Sequence, residues 1–253
     1  MKTAIITGAS SGLGREFVRQ LDTVFPEVER VWLIARREDR LTEVAAAMDE
    51  ERSVRILPLD LCDAMSFTAL QEALTEEQPE IVLLINNAGC GYLGRLGEAS
   101  TSAQTRMVDL NIRALTALTN MALPFMADGG RILNVSSIAA FCPTPRMTVY
   151  SSTKAYVSAF TAGLGEELRE RGITATAVCP GPMETEFLNV GNITGHSRTF
   201  SMLPFCEQVQ VARGALLAAR AGQGVYTPRL VYKVYRLLAK VTPRALLMKL
   251  TTV

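Results

Sequence analysis

Six short apolar runs, five of them followed by a longer amphipathic stretch, are the strongest constraint on what this chain can become. Lys2–Thr7, Arg30–Ala35, Val54–Leu59, Ile81–Ile85, Arg131–Ser136 and Ile173–Cys179 are rich in Val, Ile and Leu. Their apolar character is continuous rather than alternating, as in strands covered on both faces of a parallel sheet. Between them, residues 12–24, 38–50, 63–76, 101–126 and 149–171 read as helices. Strand, helix, strand repeated in this way requires right-handed crossovers and predicts a doubly wound α/β sheet. No linker or composition shift interrupts residues 1–226, so they read as a single domain followed by an extension over 227–253.

The overall charge, 26 basic against 25 acidic residues, gives no argument for nucleic acid as a partner. That balance hides an asymmetry. Residues 1–207 hold all 25 acids and 18 of the bases, a net of −7, whereas 208–253 hold eight bases and no acid. The five cysteines are scattered without a CxxC pair and the chain has one histidine, His196, so no metal site is expected and the thiols read as free. The opening MKTAIITGAS lacks a signal-peptide pattern, and no apolar run approaches 18 residues. The expectation is a cytoplasmic protein.

Three further motifs accompany the strands. Thr7-Gly8-Ala9-Ser10-Ser11-Gly12-Leu13-Gly14 joins the first strand to the first helix, where glycines let a backbone approach a pyrophosphate at a helix N-terminus. Asn86-Asn87-Ala88-Gly89 follows the fourth strand, and Pro180-Gly181 the sixth. Tyr150 and Lys154 are four apart on a predicted helix and share a face. TGxxxGxG, NNAG, a Ser-Ser pair whose second member precedes YxxxK by thirteen residues, and PGxxxT together resemble the short-chain dehydrogenase/reductase family, from Lys2 to about Tyr226. The resemblance implies a Rossmann-type fold and a nicotinamide cofactor.

On that resemblance, Gly8, Ser10, Ser11, Gly12, Leu13 and Gly14 cradle the pyrophosphate. Asp60 holds the adenine amino group with Leu61 beside it, and Asn87, Ala88 and Gly89 line the adenosine side of the cleft. Pro180, Gly181, Met183 and Thr185 face the nicotinamide, and Tyr150 and Lys154 also touch the cofactor. The second strand ends at Ala35, where NAD-binding Rossmann sites place an acid, and Arg36 and Arg37 follow. A guanidinium can hold a 2′-phosphate bidentately, so NADP(H) is expected over NAD(H). Ser11 stands where many of the family's NADP-users have a basic residue.

The resemblance assigns Ser137, Tyr150 and Lys154 to catalysis, with Ser136 as the competing serine and Asn111 as the helix asparagine associated with a water leading from Lys154 to solvent. An unperturbed tyrosine titrates at about 10, and a nearby ammonium and a cationic nicotinamide ring should both lower it. The implied reaction is carbonyl reduction with NADPH, or its reverse. Pocket walls are expected from Cys90–Leu96, Ile138–Met147 and a lid over 183–205, all with apolar content (Tyr92, Leu93, Leu96, Ala139, Ala140, Phe141, Met147, Phe187, Leu188, Phe200, Met202, Leu203). A small hydrophobic carbonyl or alcohol is the expected substrate. Homodimers or homotetramers are expected through helices 101–126 and 149–171, with Gly163 and Gly165 admitting a close backbone.

Within 229–249, Arg229, Lys233, Arg236, Lys240 and Arg244 step along one helical face, opposite Leu230, Val231, Val234, Leu237, Leu238 and Val241. Pro243 interrupts this basic amphipathic helix. Docking on the acidic remainder of the chain or on a partner subunit is the favoured reading, and contact with a membrane surface the second. Two other classes of function compete with the enzyme: a catalytically silent nucleotide sensor or scaffold, and a peripheral membrane protein acting through its C-terminal helix.

Overall fold

The computed structural model describes residues 1–186 and 203–250, and Phe187, Leu188, His196, Phe200 and Met202 of the expected lid lie outside them. A seven-stranded parallel sheet forms the centre: β1 (Lys2–Thr7), β2 (Arg30–Ala35), β3 (Ser53–Pro58), β4 (Glu80–Asn86), β5 (Met126–Val135), β6 (Thr174–Val178) and β7 (Val225–Tyr226). Its order is β3-β2-β1-β4-β5-β6-β7. The chain works outward from β1 on one side and then returns to β4 on the other. Between β1 and β4 lies the switch point where open α/β sheets receive ligands.

Continuous burial along the strands explains their continuous apolar sequence. Every residue from Thr3 to Thr7 and from Val31 to Ala35 is buried, because helices cover both faces. Helices α1 (Gly12–Val24) and α2 (Glu38–Ala46) bury Phe17, Val18, Leu21, Leu41 and Val44 in one core layer. Helix α3 (Ala64–Glu77) contributes Leu70, Ala73 and Leu74 to the opposite layer, with Trp32, Leu84 and Ile132. Each such aliphatic side chain contributes about 1.5–3 kcal/mol relative to exposure.

The stretch 101–126 is not one helix. Helix α4 (Thr101–Val108) widens into a π-helical turn at Asp109–Ala114 and resumes as α5 (Leu115–Ala122) before a 3₁₀ turn at Leu123–Phe125. Strand β5 begins five residues earlier than expected. Its register against β4 jumps between Ile81↔Met126 and Leu83↔Arg131, and Gly129 at φ +76° lies in the inserted piece.

Helix α6 (Thr148–Glu167) carries Gly163 and Gly165, but no backbone of this chain crowds them. A Cβ on Gly165 would make ordinary contact with Ala175, and one on Gly163 would meet nothing. Sequence reading missed α7 (Gln208–Arg220) and the short β7. Val211, Ala212, Ala215, Leu216 and Ala219 are buried at helical spacing and pack in the same core layer as Phe17 and Leu21 of α1.

The chain ends in α8 (Leu230–Val241) and α9 (Arg244–Leu250), separated near Pro243 as expected. Tyr232 is 1% exposed and its hydroxyl donates to the Pro204 carbonyl at 2.7 Å. Its ring lies so close to Gly181 that a Cβ there would sit 2.3 Å away. Tyr235 meets the Phe141 ring at 5.8 Å. The tail therefore docks over the ends of β5 and β6. Of the +8 stretch, Arg220 of α7 pairs with Glu27 of the acidic part at 3.0 Å, but the tail beyond it is held differently. Among the described residues, Arg229, Lys233, Arg236, Lys240, Arg244 and Lys249 form no salt bridge, and aromatic burial holds the helix instead. No described helix is long and apolar enough to cross a membrane.

Candidate active site

Motifs far apart in sequence converge because β1, β4, β5 and β6 are neighbours and all end at the same edge. The Thr7 hydroxyl accepts from the amides of Asn87 and Ala88, both at 3.0 Å, and the Asn87 side chain donates to the Thr7 and Gly8 carbonyls at 3.0 and 3.2 Å. The glycine loop and NNAG are thus stitched together directly. Gly8 and Gly12 adopt φ of +65° and +53°. A Cβ on Gly14 would lie 2.1 Å from the Gly8 carbonyl oxygen, so only glycine permits this return of the helix onto its own loop.

Helix α1 opens with no acidic residue in its first turn, and its cap residue Ser11 makes no side-chain cap bond. Its first N–H groups, with the positive end of the helix dipole, suit an anion. Ser10 and Leu13 are buried beneath that turn. Thr185 closes over it: its methyl carbon lies 3.5 Å from where a Gly12 Cβ would be. This cradle fits a dinucleotide pyrophosphate.

Asp60 lies two residues past β3. Burial acts to raise its pKa, but the Cys62 amide and the Arg106 guanidinium outweigh that and hold it below the usual carboxylate range. Arg106 Nη2 lies 3.1 Å from Asp60 Oδ2. Arg106 belongs to α4, and no sequence spacing links it to Asp60. Leu61 points into the core below, and Ala88 packs against the same layer. At the end of β2, Arg37 pairs with Glu186 at 2.8 Å rather than with Glu38 or Asp39, and Arg36 takes no salt bridge among the described residues. The Arg37 hydrogen bond holds Glu186 below its ordinary pKa.

At the ends of β5 and β6 the two serines part company. The Ser136 hydroxyl bonds the Lys154 carbonyl and the Ser158 hydroxyl, both at 2.8 Å. Ser137 starts the 3₁₀ turn Ile138–Ala140, accepts from the Ala139 amide at 3.1 Å, and hydrogen-bonds the Tyr150 phenol. The Lys154 ammonium donates to the Val135 carbonyl at 2.8 Å and stands 5.8 Å from the Tyr150 ring centroid. Gly89 faces both Lys154 and Asn111, with 3.4 and 3.1 Å left for a Cβ.

Asn111 lies within the π-helical turn. Its amide donates to the Cys90 carbonyl at 2.8 Å and the Thr153 hydroxyl at 3.0 Å, while its oxygen accepts from the Cys90 amide at 2.9 Å. The side chain thereby fixes the backbone beyond NNAG. A second buried relay, missed from sequence, runs from Thr119 through Asn86 and Asn134 to Thr161 and ties β4 and β5 to α5 and α6. Each of these bonds is worth about 1 kcal/mol net, and more if broken on one side only.

Burial pushes the Tyr150 pKa up to about 12 despite the Ser137 hydrogen bond, and burial pulls Lys154 down to about 8. Desolvation dominates because both groups are buried and the ammonium is directed to Val135. Cys90, also desolvated, is pushed up to about 11. Leu93, Met107 and Met147 cluster with Tyr150, and Cys90, Tyr92 and Ala139 pack against them. Leu96, by contrast, is 70% exposed. Pro180 continues the β6 edge, its carbonyl accepting from the Ile138 amide at 3.0 Å, and Met183 packs on the main core.

Comparison with known proteins adds independent findings. The sequence profile described as short chain dehydrogenase matches residues 2–193. Sulfoacetaldehyde reductase 2 of Chromohalobacter salexigens is 34% identical over 190 residues, 72% of this chain and 73% of that one. A short-chain dehydrogenase from Sphingobium yanoikuyae, solved in complex with NADPH, superposes with a TM-score of 0.82 at 30% identity, covering 98% of this chain and 96% of the other. A bulky-bulky ketone specific alcohol dehydrogenase from Comamonas testosteroni gives a TM-score of 0.77 at 27% identity, over 98% and 94% of the two chains.

Proposed function

Because the chain belongs to the short-chain dehydrogenase/reductase family of oxidoreductases, we propose that it is an NADP(H)-dependent reductase of hydrophobic ketones, aldehydes or acyl derivatives. The observation that carries this reading is the buried constellation of Ser137, Tyr150 and Lys154 at the mouth of the β1/β4 switch point. Bound reduced nicotinamide supplies the hydride. The protein's part is to hold the carbonyl oxygen between the Ser137 and Tyr150 hydroxyls, where both donors stabilise the negative charge that develops. Tyr150 then gives up its phenolic proton. Its hydrogen bond to Ser137 holds the phenol beside the second donor. Lys154, drawn down to about 8, can return that proton near neutral pH. Asn111 acts by positioning, through the Cys90 backbone and Thr153.

The substrate class rests on the apolar cluster around Tyr150 and on the carbonyl substrates named for two relatives, an aldehyde and bulky ketones. Leu93, Met107 and Met147 favour a bulky apolar carbonyl over a sulfonated one. Assembly as a homodimer or homotetramer through the outer faces of α5 and α6 accords with the open space at Gly163.

Preference for NADP(H) rests on Arg36 and Arg37 and on the lack of an acid at the end of β2. Arg37, paired with Glu186 in the protein alone, would hold a 2′-phosphate together with Arg36. The Arg36→Ala/Arg37→Ala double variant should bind NADPH about 10–100-fold more weakly while NADH affinity changes little. Fluorescence titration of both nucleotides measures this, and equal losses for the two would remove the basis for the preference. A panel of hydrophobic carbonyls, scored by NADPH consumption, tests the activity itself.

A further inference from the structure

The aliphatic face of α8 is left at the surface. Leu230, Val231, Val234, Leu237, Leu238 and Val241 are each 48–75% exposed, although they form one stripe along the helix. Tyr232, on the opposite face, is the buried anchor. The helix is thus fastened by one side and offers only Leu and Val on the other, and Leu246, 53% exposed, carries the patch beyond Pro243. Contiguous aliphatic surface of this kind marks a contact rather than a water-facing flank.

Charge selects the partner. Lys233 and Lys240 border the stripe, Arg244 and Lys249 extend the basic edge, and all four are exposed without a salt bridge among the described residues. No acid follows Glu207. In a two-fold contact with a second copy the patch would meet itself, lysine toward lysine, with no carboxylate on the segment to offset them. A surface of anionic lipid satisfies both features: its acyl boundary accepts the stripe and its phosphates the lysines.

We propose that α8 and α9 rest on an anionic lipid surface. Tyr232 abuts Gly181 and Tyr235 meets Phe141, so such contact brings the site's mouth to the lipid. On the carbonyl-reductase reading, which this clause alone requires, the substrate then enters from the bilayer.

Flotation of the full chain with vesicles of phosphatidylcholine alone or mixed with phosphatidylglycerol tests the proposal. Wild type should float with the mixed vesicles and release as salt rises. Leu237→Glu/Val241→Glu should lower the bound fraction about tenfold or more, and Lys233→Gln/Lys240→Gln should abolish the preference for phosphatidylglycerol. NADPH titration of each variant verifies the fold and is independent of flotation, so failure of the lipid contact and failure of the reductase reading are separable. Absence of wild-type flotation, or flotation undiminished in Leu237→Glu/Val241→Glu, would overturn it. So would a fall in solution mass of that variant by light scattering without any wild-type lipid binding, which would assign the face to a second copy.

Discussion

Tyr150→Phe should lower carbonyl reduction by about 10³-fold while NADPH binds within a few-fold of wild type. The phenol ring packs with Leu93, Met107 and Met147, and Phe keeps that packing while removing the only group that both holds the substrate oxygen and carries its proton. Ser137→Ala should be milder, about 10–100-fold, because it deletes one of two donors and leaves the acid in place. Ser136→Ala should act on stability instead, since that hydroxyl is engaged with the Lys154 carbonyl and Ser158. The ordering of the three variants, read from turnover at saturating NADPH together with thermal unfolding, checks the division of roles. A Ser136→Ala enzyme as impaired as Tyr150→Phe, with unchanged stability, would reverse the assignment of the serines.

The second large effect is expected at Gly14. A Cβ there would be 2.1 Å from the Gly8 oxygen and 2.7 Å from the Gly8 carbonyl carbon, both backbone atoms that cannot swing aside. Gly14→Ala must therefore push α1 away from its loop, at a cost of about 1–3 kcal/mol. The first N–H groups of α1 lose their aim at the pyrophosphate, and nucleotide affinity should fall by about 100-fold. Gly163→Ala is the control. With nothing near its Cβ and a helical position, it should be neutral or slightly stabilising in the monomer. Nucleotide titration and chemical denaturation of the two variants check both statements.

Much of this was legible in the chain. Strands β1 and β2 and helix α1 match their sequence-derived limits, because continuous burial leaves continuous Val, Ile and Leu. The glycine loop, NNAG and the Tyr150/Lys154 pair were readable because each needs particular residue types at fixed spacing. What escaped the sequence arises from contacts between distant segments. Arg106 reaches Asp60 only because α4 folds back over the end of β3, and Thr7 finds Asn87 only because β1 and β4 are neighbours. Helix α7 was missed because its buried face is mostly alanine, which carries little hydrophobic contrast.

The charge reasoning had the most to learn from three dimensions. Lys154 together with a cationic nicotinamide ring was expected to lower Tyr150; in the protein alone the Lys154 ammonium bonds the Val135 carbonyl, and burial acts on both groups. The basic tail was expected to dock on the acidic remainder of the chain or on a partner subunit; it docks by Tyr232 and Tyr235, and among the described residues its lysines form no salt bridge. Sequence reports which charges exist, whereas burial and direction decide what they do.

The central claim is that the Ser137–Tyr150–Lys154 pocket reduces a carbonyl rather than merely housing a nucleotide. Its most direct test is the stoichiometry of NADPH consumed to alcohol formed, measured with a bulky hydrophobic ketone for wild type and Tyr150→Phe under identical conditions. The account predicts one alcohol per NADPH for wild type and a rate lower by about 10³-fold for the variant. Tight NADPH binding with no alcohol formed from any ketone or aldehyde of the panel, or equal rates in the two proteins, would contradict it.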